Sequence, residues 1–439
     1  VQVEKPPPKE KLMKTAKNTI ALVLLTALIG CQNPTNPATP AVDPPPAPGS
    51  LDTTFGAGGI VTTPNMAGLG TAIQADGKIV VAGTNDSNAD FTLVRYETDG
   101  TLDASFGING IVTTAIGSGL DIGYDVAIQV DGKIVVAGFS DNGSNSDFAL
   151  VRHKTDGTLD ASFGTGGIVT TAIGSGSEHG YAVAIQADGK IVVAGFSENG
   201  SNTGFALVRY GTDGTLDASF GSGGIVTTAI GSGSDRGYDV AIQSDGKIVV
   251  AGYSESGSNS DFALVRYGTD GTLDASFGTG GIVTTAIGSN NDYGSSVAIQ
   301  EDGKIVVAGF SNNASNDDFA LVRYGTDGTL DASFGTDGKV RTVITSDDWG
   351  TAVAIQTDGK IIVAGSSFSG LSTTFAITRY KTDGTMDTSF GWGGIVTTAI
   401  GSMQDMVDSL AIQADGKIVV TGYCNNGSNN IATIVRYWP

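Results

Sequence analysis

The sequence predicts an all-β fold made of seven similar units, each of four antiparallel strands. Two phrases recur seven times, L/M-D-x-S/T-F-G and G-K-I-V/I-V-A/T-G, and successive copies of the first lie 51, 57, 57, 57, 57 and 56 residues apart. A fixed period of this length is typical of repeat architectures. The first phrase begins at Leu51, Leu102, Leu159, Leu216, Leu273, Leu330 and Met386, and the second at Gly77, Gly132, Gly189, Gly246, Gly303, Gly359 and Gly416.

One repeat contains four short β-favouring segments and no helical period. Asp131-Gly132 lies between the first two and predicts a tight hairpin, because Asp-Gly readily adopts the positive φ that hairpin turns require. Polar loops and a Thr-Asp-Gly-Thr turn separate the others. The four segments are Tyr124–Gln129, Lys133–Gly138, Asp147–His153 and Gly167–Thr171.

Both faces of the third strand are apolar. Phe148 and Leu150 point to one side, whereas Ala149 and Val151 point to the other, because side chains alternate along a strand. Such a sheet must be covered on both sides, and the neighbouring repeats are the available cover. Stacked four-stranded sheets closed into a ring leave only short, protected edges, so the sequence predicts a seven-bladed β-propeller.

The chain ends after a third strand, Ile431–Tyr437, and its first repeat begins with an isolated fourth strand, 59–63. We therefore expect 59–63 to pair with 431–437 and to close the last blade. The entropic cost of joining two distant chain segments grows only slowly with the length of the loop between them.

The repeat resembles the delta-60 repeat family through Val126–Gln129, Asp131–Gly138, Phe148–Arg152 and Leu159–Gly164. The resemblance covers residues 51–439 and implies a propeller. It implies almost nothing about chemistry, since the function of that family is largely uncharacterised.

The N-terminal region has the features of an export signal. Residues 13–18 are basic, Thr19–Ile29 is an apolar run, and Leu28-Ile29-Gly30-Cys31 resembles the lipobox of bacterial lipoproteins. The resemblance implies cleavage after Gly30 and lipidation of Cys31; the alternative is an ordinary secretory signal with a coincidental cysteine. We expect 1–12 to be an upstream extension before a start at Met13, 13–31 to be the signal peptide, 32–50 a Pro-rich linker and 51–439 the propeller.

The formal net charge is −21, although the first 31 residues contain five lysines and only two glutamates. Such an acidic chain should repel nucleic acid, so we expect no nucleic-acid partner. The acidity favours a soluble exported protein over a cation-binding role. We expect no cofactor and no metal. The loop acids could bind Ca²⁺, which stays open as the alternative, but their spacing matches no EF-hand or nonapeptide calcium repeat. We expect a monomer.

Loops of the repeat sort onto two faces. The Asp-Gly hairpins and the connections from third to fourth strand share one face, here called the Asp-Gly face, and hardly vary. The loops after the second and fourth strands share the other, here called the variable face, where we place any ligand site. The candidate contacts are Glu178, His179, Asp235, Arg236, Asn291, Asp292, Tyr293, Asp347, Asp348, Trp349, Asp405 and Asp408.

Two repeated charged sets have structural interpretations. The aspartates of the Asp-Gly turns are expected to form turns rather than a carboxylate ring. The arginine that ends each third strand, such as Arg152, is expected to pair with an aspartate of its own repeat, for example that of the next L-D-x-S-F-G phrase, rather than to line a binding ring.

No catalytic constellation is evident, since the chain has only two histidines, His153 and His179. We therefore expect a lipid-anchored binding or scaffolding protein of the bacterial cell envelope or surface, with a glycan or protein ligand. The alternatives are an exported enzyme that acts on polysaccharide through acids at the channel mouth, and a purely structural envelope protein.

Overall fold

The structure is a computed structural model that describes residues 46–370, 372–401, 404–425 and 427–439. The upstream extension, the signal peptide with Cys31 and most of the linker lie outside the described residues. A compact unit spans Ala47–Pro439. None of the described residues forms a helix of the length and apolarity that crossing a bilayer requires.

The described residues form 28 strands. Strand β1 is followed by seven blades: four strands each in blades 1 to 6 and three in blade 7. The strands are β1 (Ile60–Pro64); in blade 1 β2 (Met66–Ile73), β3 (Ile79–Asn85), β4 (Phe91–Tyr96) and β5 (Ile111–Thr114); in blade 2 β6 (Asp121–Ile128), β7 (Ile134–Asp141), β8 (Ser146–His153) and β9 (Ile168–Thr171); in blade 3 β10 (Glu178–Ile185), β11 (Ile191–Asn199), β12 (Asn202–Tyr210) and β13 (Ile225–Thr228); in blade 4 β14 (Asp235–Ile242), β15 (Ile248–Ser256), β16 (Asn259–Tyr267) and β17 (Ile282–Thr285); in blade 5 β18 (Asp292–Ile299), β19 (Ile305–Asn312), β20 (Asp317–Tyr324) and β21 (Lys339–Thr342); in blade 6 β22 (Asp347–Ile355), β23 (Ile361–Phe368), β24 (Thr373–Tyr380) and β25 (Ile395–Thr398); and in blade 7 β26 (Gln404–Ile412), β27 (Ile418–Asn425) and β28 (Asn430–Tyr437).

The blades close into a ring, which confirms the seven-bladed propeller. Within each blade consecutive strands pair antiparallel, and the first strands of neighbouring blades contact each other all the way round, β26 against β2 included. The first strands therefore form the innermost layer. A single parallel bridge between Met66 and Ile431 joins the sheets of blades 7 and 1.

The N-terminal strand closes blade 7, as predicted. β1 pairs antiparallel with β28, from Ile60 opposite Val435 to Pro64 opposite Ile431. A hydrogen bond from the following blade shows that β1 is equivalent to a fourth strand. Tyr96 Oη of blade 1 lies 2.6 Å from Thr63 Oγ1, just as Tyr210 of blade 3 donates to Thr171 in the fourth strand of blade 2.

The closure begins earlier than the sequence suggests. Residues 47–50, assigned to the linker, replace the missing Thr-Asp-Gly-Thr turn of blade 7. Gly49 N donates to the carbonyl oxygen of Trp438 at 2.9 Å, and Pro48 O accepts from Gly391 N at 3.0 Å, as Asp383 O does from Gly335 N. Gly49 has a φ of +81°, close to the +84° of Gly384, so Pro-Gly supplies the turn that Asp-Gly supplies elsewhere.

The core consists of apolar layers between neighbouring blades. Between blades 3 and 4, Phe205 and Leu207 pack with Val250 and Val265, all fully or almost fully buried. The expectation that each sheet is covered by its neighbours is therefore confirmed, and it explains why both faces of a strand are apolar.

The repeated charges are structural, as expected. Arg209 Nε lies 2.8 Å from Asp217 Oδ2, and the arginine stacks on Phe220 at 4.3 Å from its ring centroid. The corresponding arginine–aspartate pairs are Arg95–Asp103, Arg152–Asp160, Arg266–Asp274, Arg323–Asp331, Arg379–Asp387 and, across the closure, Arg436–Asp52. The Asp-Gly aspartates accept a backbone hydrogen bond two residues on, for example Lys190 N to Asp188 Oδ1 at 3.1 Å, so they form turns.

Candidate functional site

The first strand of most blades begins three residues before the sequence indicates, so several candidate residues lie in strands rather than loops. β6 starts at Asp121 and not at Tyr124, and the equivalent strand β10 starts at Glu178. A bulge between Gly180 and Ala182 interrupts its register with β11, which masks the alternation in the sequence.

The first residue of this extension is an interior carboxylate. Asp235 is 0% exposed, and its Oδ2 accepts hydrogen bonds from Ile230 N at 2.7 Å and Gly231 N at 3.2 Å. It thereby holds the loop that enters the blade. The equivalent residues Asp121, Glu178, Asp292, Asp348 and Asp405 are at most 1% exposed and bind the same loop.

The prediction that these acids face a ligand is therefore wrong for Glu178, Asp235, Asp292, Asp348 and Asp405. Burial raises the pKa of Glu178 and of Asp405. Their variation in sequence (Asp or Glu within changing loops) suggested exposure, but the loop geometry requires a buried acceptor for its amides.

The next position of the first strand is different in every blade. His179 lies opposite Phe196, Arg236 opposite Tyr253, and Trp349 opposite Ser366. Because the blades otherwise repeat closely, this position, near the variable face, is where the copies are most individual. The seven residues, here called the mouth ring, are Ala67, Ile122, His179, Arg236, Tyr293, Trp349 and Met406.

Aromatic side chains of blades 2 to 5 form a continuous contact chain around this ring. His179 stacks on Phe139 with 3.9 Å between ring centroids and an interplanar angle of 8°. Tyr181 and Tyr238 are 5.1 Å apart, and Tyr253 and Tyr293 are 5.0 Å apart. The set, here called the aromatic arc, comprises Tyr124, Phe139, His179, Tyr181, Phe196, Tyr238, Tyr253, Tyr293 and Phe310.

Sequence reasoning found only His179 and Tyr293 of this arc. The tyrosine two residues beyond His179 and the aromatic residue after the glycine of the second strand recur in several repeats, so they resembled scaffold. Their asymmetric distribution was the available signal: the corresponding positions in blade 6 are Thr351 and Ser366.

The mouth ring holds one cation among these rings. The guanidinium carbon of Arg236 lies 4.6 Å from the Phe196 ring centroid. Burial by itself lowers the pKa of Arg236, but Tyr253, Tyr238 and Tyr181 outweigh it and raise that pKa. Burial, reinforced by the charge of Arg236, lowers the pKa of His179 to about 3, so His179 is neutral at physiological pH.

Three other candidates mainly hold neighbouring blades together. Asn291 Oδ1 accepts from Ser260 N at 3.0 Å, and Asp347 Oδ1 accepts from Asp317 N at 3.2 Å. The indole of Trp349 donates to Asp317 Oδ2 at 2.9 Å. All three remain partly exposed, so they lie at the surface of the mouth.

Asp408 lies on β26, in the bulge between Val407 and Ser409, and is partly exposed. After burial, its charge is what raises the pKa of Tyr423. The mouth is thus aromatic and cationic on the side of blades 2 to 5 and carries a carboxylate on the side of blade 7.

A separate groove of about 600 Å³ opens on the Asp-Gly face between blades 7 and 1. Its lining includes Gln74, Ala75, Gln413, Ala414 and Lys417. The interface between blades 7 and 1 has alanine at both hairpin positions, where every other interface between neighbouring blades has at least one larger residue. None of the predicted site residues lies in it.

Among the described residues, no three or more histidine, cysteine, aspartate or glutamate side chains are grouped as a metal site would require.

Solved structures that resemble the chain share 7 to 11% sequence identity with it. A polysaccharide lyase of family PL25, an ulvan lyase, has a TM-score of 0.47 at 11% identity over 89% of this chain and 94% of its own. A gluconolactonase from Xanthomonas campestris has a TM-score of 0.40 at 11% identity over 91% and 99%. Semaphorin 1b from Drosophila, extracellular domains 1–2, has a TM-score of 0.43 at 10% identity over 88% and 87%. At these values none of them bears on what this chain binds or does.

No curated protein matches the chain. A family described as "Domain of unknown function (DUF5122) beta-propeller" matches seven segments that together cover more than half of it: 74–106, 129–163, 186–220, 243–277, 300–334, 356–390 and 413–439. The seven segments correspond to the seven blades, and the chain belongs to this β-propeller family of unknown function.

Proposed function

We propose that this protein is a binding module whose ligand contacts the mouth ring on the variable face. The observation that carries the proposal is the mouth ring itself: seven equivalent positions hold seven different residues, while the surrounding scaffold repeats. A position that served only packing would be expected to repeat with the scaffold around it. Ala67 and Met406 are buried, and the other five positions are partly exposed. Accessible residues that differ from one copy to the next, on a rigid frame, are typical of recognition surfaces.

The residues assigned to contact are His179, Arg236, Tyr293 and Trp349, each partly exposed. Aromatic and amphipathic side chains supply contact area with little loss of conformational freedom, which suits a glycan or a protein segment. The polysaccharide-enzyme alternative depended on acids at the mouth, and five of those acids are interior.

We further propose that the protein is exported and held at the bacterial cell envelope by a lipid on Cys31, with the Pro-rich segment as spacer. The support is the lipobox-like Leu28–Cys31 after a basic and apolar stretch. Metabolic labelling with a palmitate analogue should label the wild-type protein in the membrane fraction. Cys31→Ser should abolish labelling and release the protein; unchanged labelling would contradict the proposal.

The binding proposal is tested with the chain from Gln32 onward, which contains the compact unit Ala47–Pro439. A glycan array and a pull-down from envelope extract identify candidates, each then titrated directly. The triple variant His179→Ala, Arg236→Ala, Trp349→Ala should weaken binding at least about a hundredfold.

The matched control lies on the Asp-Gly face at one equivalent hairpin position of three blades: Val130→Ala, Glu301→Ala, Thr357→Ala. Val130 is fully exposed, so this triple variant should retain wild-type affinity. Binding that depends on the control positions and not on the mouth would refute the assignment.

A further inference from the structure

Among the described residues, Arg236 is the one arginine without a carboxylate oxygen within 4.0 Å. The described residues include all nine arginines, and eight of them lie within 4.0 Å of an aspartate oxygen. Those eight include Arg341, which pairs with Asp318. In a chain of net charge −21, carboxylates are abundant, so the missing partner is a property of this place and not of composition.

The surroundings of Arg236 leave part of its hydrogen-bonding capacity unused. Its Nε is buried and has no acceptor among the described residues, and its guanidinium lies over Phe196. Tyr238 and Tyr181 are 7% and 4% exposed, whereas Arg236 remains partly open to solvent. A buried N–H without an acceptor is costly, and a guanidinium is best satisfied by the two oxygens of a carboxylate.

We propose that Arg236 binds the carboxylate of a ligand that enters the mouth, with the aromatic arc in contact with the body of that ligand. This deepens the proposed function and rests on it. The guanidinium fork matches a carboxylate in a planar, two-bonded arrangement that a lysine could not reproduce.

The charge of the mouth favours a monoanion. His179 and Arg236 are the two basic members of the mouth ring; burial keeps His179 neutral, so Arg236 supplies the positive charge of the ring. Asp408 and the acidic surface of the chain oppose a polyanion such as a nucleic acid. A single carboxylate on an apolar or ring-shaped frame satisfies both the cation and the rings.

The test uses three acids, each paired with its neutral amide: glucuronate, 4-hydroxybenzoate and acetate. Titration of the wild-type chain should show saturable binding of at least one acid, about tenfold or more tighter than its amide. The ¹⁵N NMR signal of the Arg236 Nε–H should shift on titration, which locates the binding directly.

Arg236→Gln should weaken the acid about tenfold or more, and Arg236→Lys should fall between it and the wild type. Arg341→Gln removes the same charge at a paired arginine and should leave affinity within about twofold. Thermal melts of the three variants establish that each is folded.

Absence of saturable binding by all three acids up to ~10 mM would overturn the inference, as would equal losses in Arg236→Gln and Arg341→Gln. If a neutral ligand instead binds the mouth and the triple variant abolishes it, the carboxylate inference fails while the proposed function stands. If an acid binds at Arg236 and the mouth triple variant retains every other ligand, the carboxylate inference stands, and the mouth ring is not the binding surface for those other ligands.

Discussion

The closure of the ring makes a specific prediction for Asp52→Asn. Asp52 is 0% exposed and lies 2.8 Å from both Nε and Nη2 of Arg436, a residue 384 positions away. Lys417 Nζ is 3.5 Å from the same carboxylate oxygen. The neutral amide removes the charge that both cations share, at nearly unchanged volume.

Breaking one partner of a buried ion pair costs about 3–5 kcal/mol, because the other charge stays buried and unpaired. Arg436 keeps a 2.6 Å bond to Thr98 O and its stacking on Phe55, so we expect the lower end, about 3 kcal/mol. If the substitution lowers the free energy of the local opening that releases β1 by this amount, the amides of β1 should exchange about a hundredfold faster.

Asp217→Asn is the matched control. Its arginine, Arg209, makes similar contacts, with Nε 2.8 Å from Asp217 and a 2.6 Å bond to Thr269 O, but only 8 residues separate the pair. Both variants should melt at lower temperature, and only Asp52→Asn should expose β1 to exchange before global unfolding. Wild-type protection of β1 in Asp52→Asn, together with a destabilised Asp217→Asn, would refute the reasoning.

Three further predictions concern stability. Burial by itself raises the pKa of Asp160, but hydrogen bonds from Ser162 and the charge of Arg152 hold it at about 2, against 3.8 in the unfolded chain, and the pKa values of the six equivalent aspartates shift the same way. The stabilisation from Asp160, about 2 kcal/mol, is therefore present above pH 4 and lost as the pH falls towards 2. Acid-induced melting followed by circular dichroism should show this loss rather than a flat profile. Gly195→Ala should destabilise strongly, because a Cβ would lie 1.8 Å from the carbonyl oxygen of His179, whereas at Gly204 the nearest atom is 3.2 Å away; equal melting temperatures for the two variants would contradict this. His153→Tyr should stabilise by about 1 kcal/mol by donating to Thr114 as Tyr210 donates to Thr171, and a lower melting temperature would count against the equivalence of these blades.

The fold could be predicted from the sequence because the same turn residues, apolar strands and arginine–aspartate pairs recur in seven repeats. The Asp-Gly turns, the doubly apolar third strand and the position of Arg152 eight residues before Asp160 each predict a local structure that the structure confirms. Closure by the first strand followed from the missing fourth strand alone. Two features of the fold were not predicted. Residues 47–50 replace a Thr-Asp-Gly-Thr turn although Ala-Pro-Gly-Ser resembles linker sequence, and the first strand of most blades begins earlier than expected.

The site was less predictable, because variation in a repeat does not reveal on which side of the surface a residue lies. Glu178 and Asp235 varied as exposed groups would, yet they are interior acceptors for loop amides. Conversely, Tyr181 and Phe196 repeated as scaffold would, yet they surround the mouth. The bulge after Gly180 is the physical reason, since it shifts the strand register by one residue at the point where the alternation would have shown the orientation.

The seven interfaces between neighbouring blades explain how the mouth ring can accommodate a different residue in every blade. Each interface between neighbouring blades carries its own apolar layer and its own arginine–aspartate pair, so these structural contacts do not depend on which residue occupies a mouth-ring position. Stability in such arrays is close to a sum of repeat and neighbour terms. Arg236, which has no carboxylate partner among the described residues, can therefore be retained, because the apolar layers and arginine–aspartate pairs of all seven interfaces still hold the ring closed.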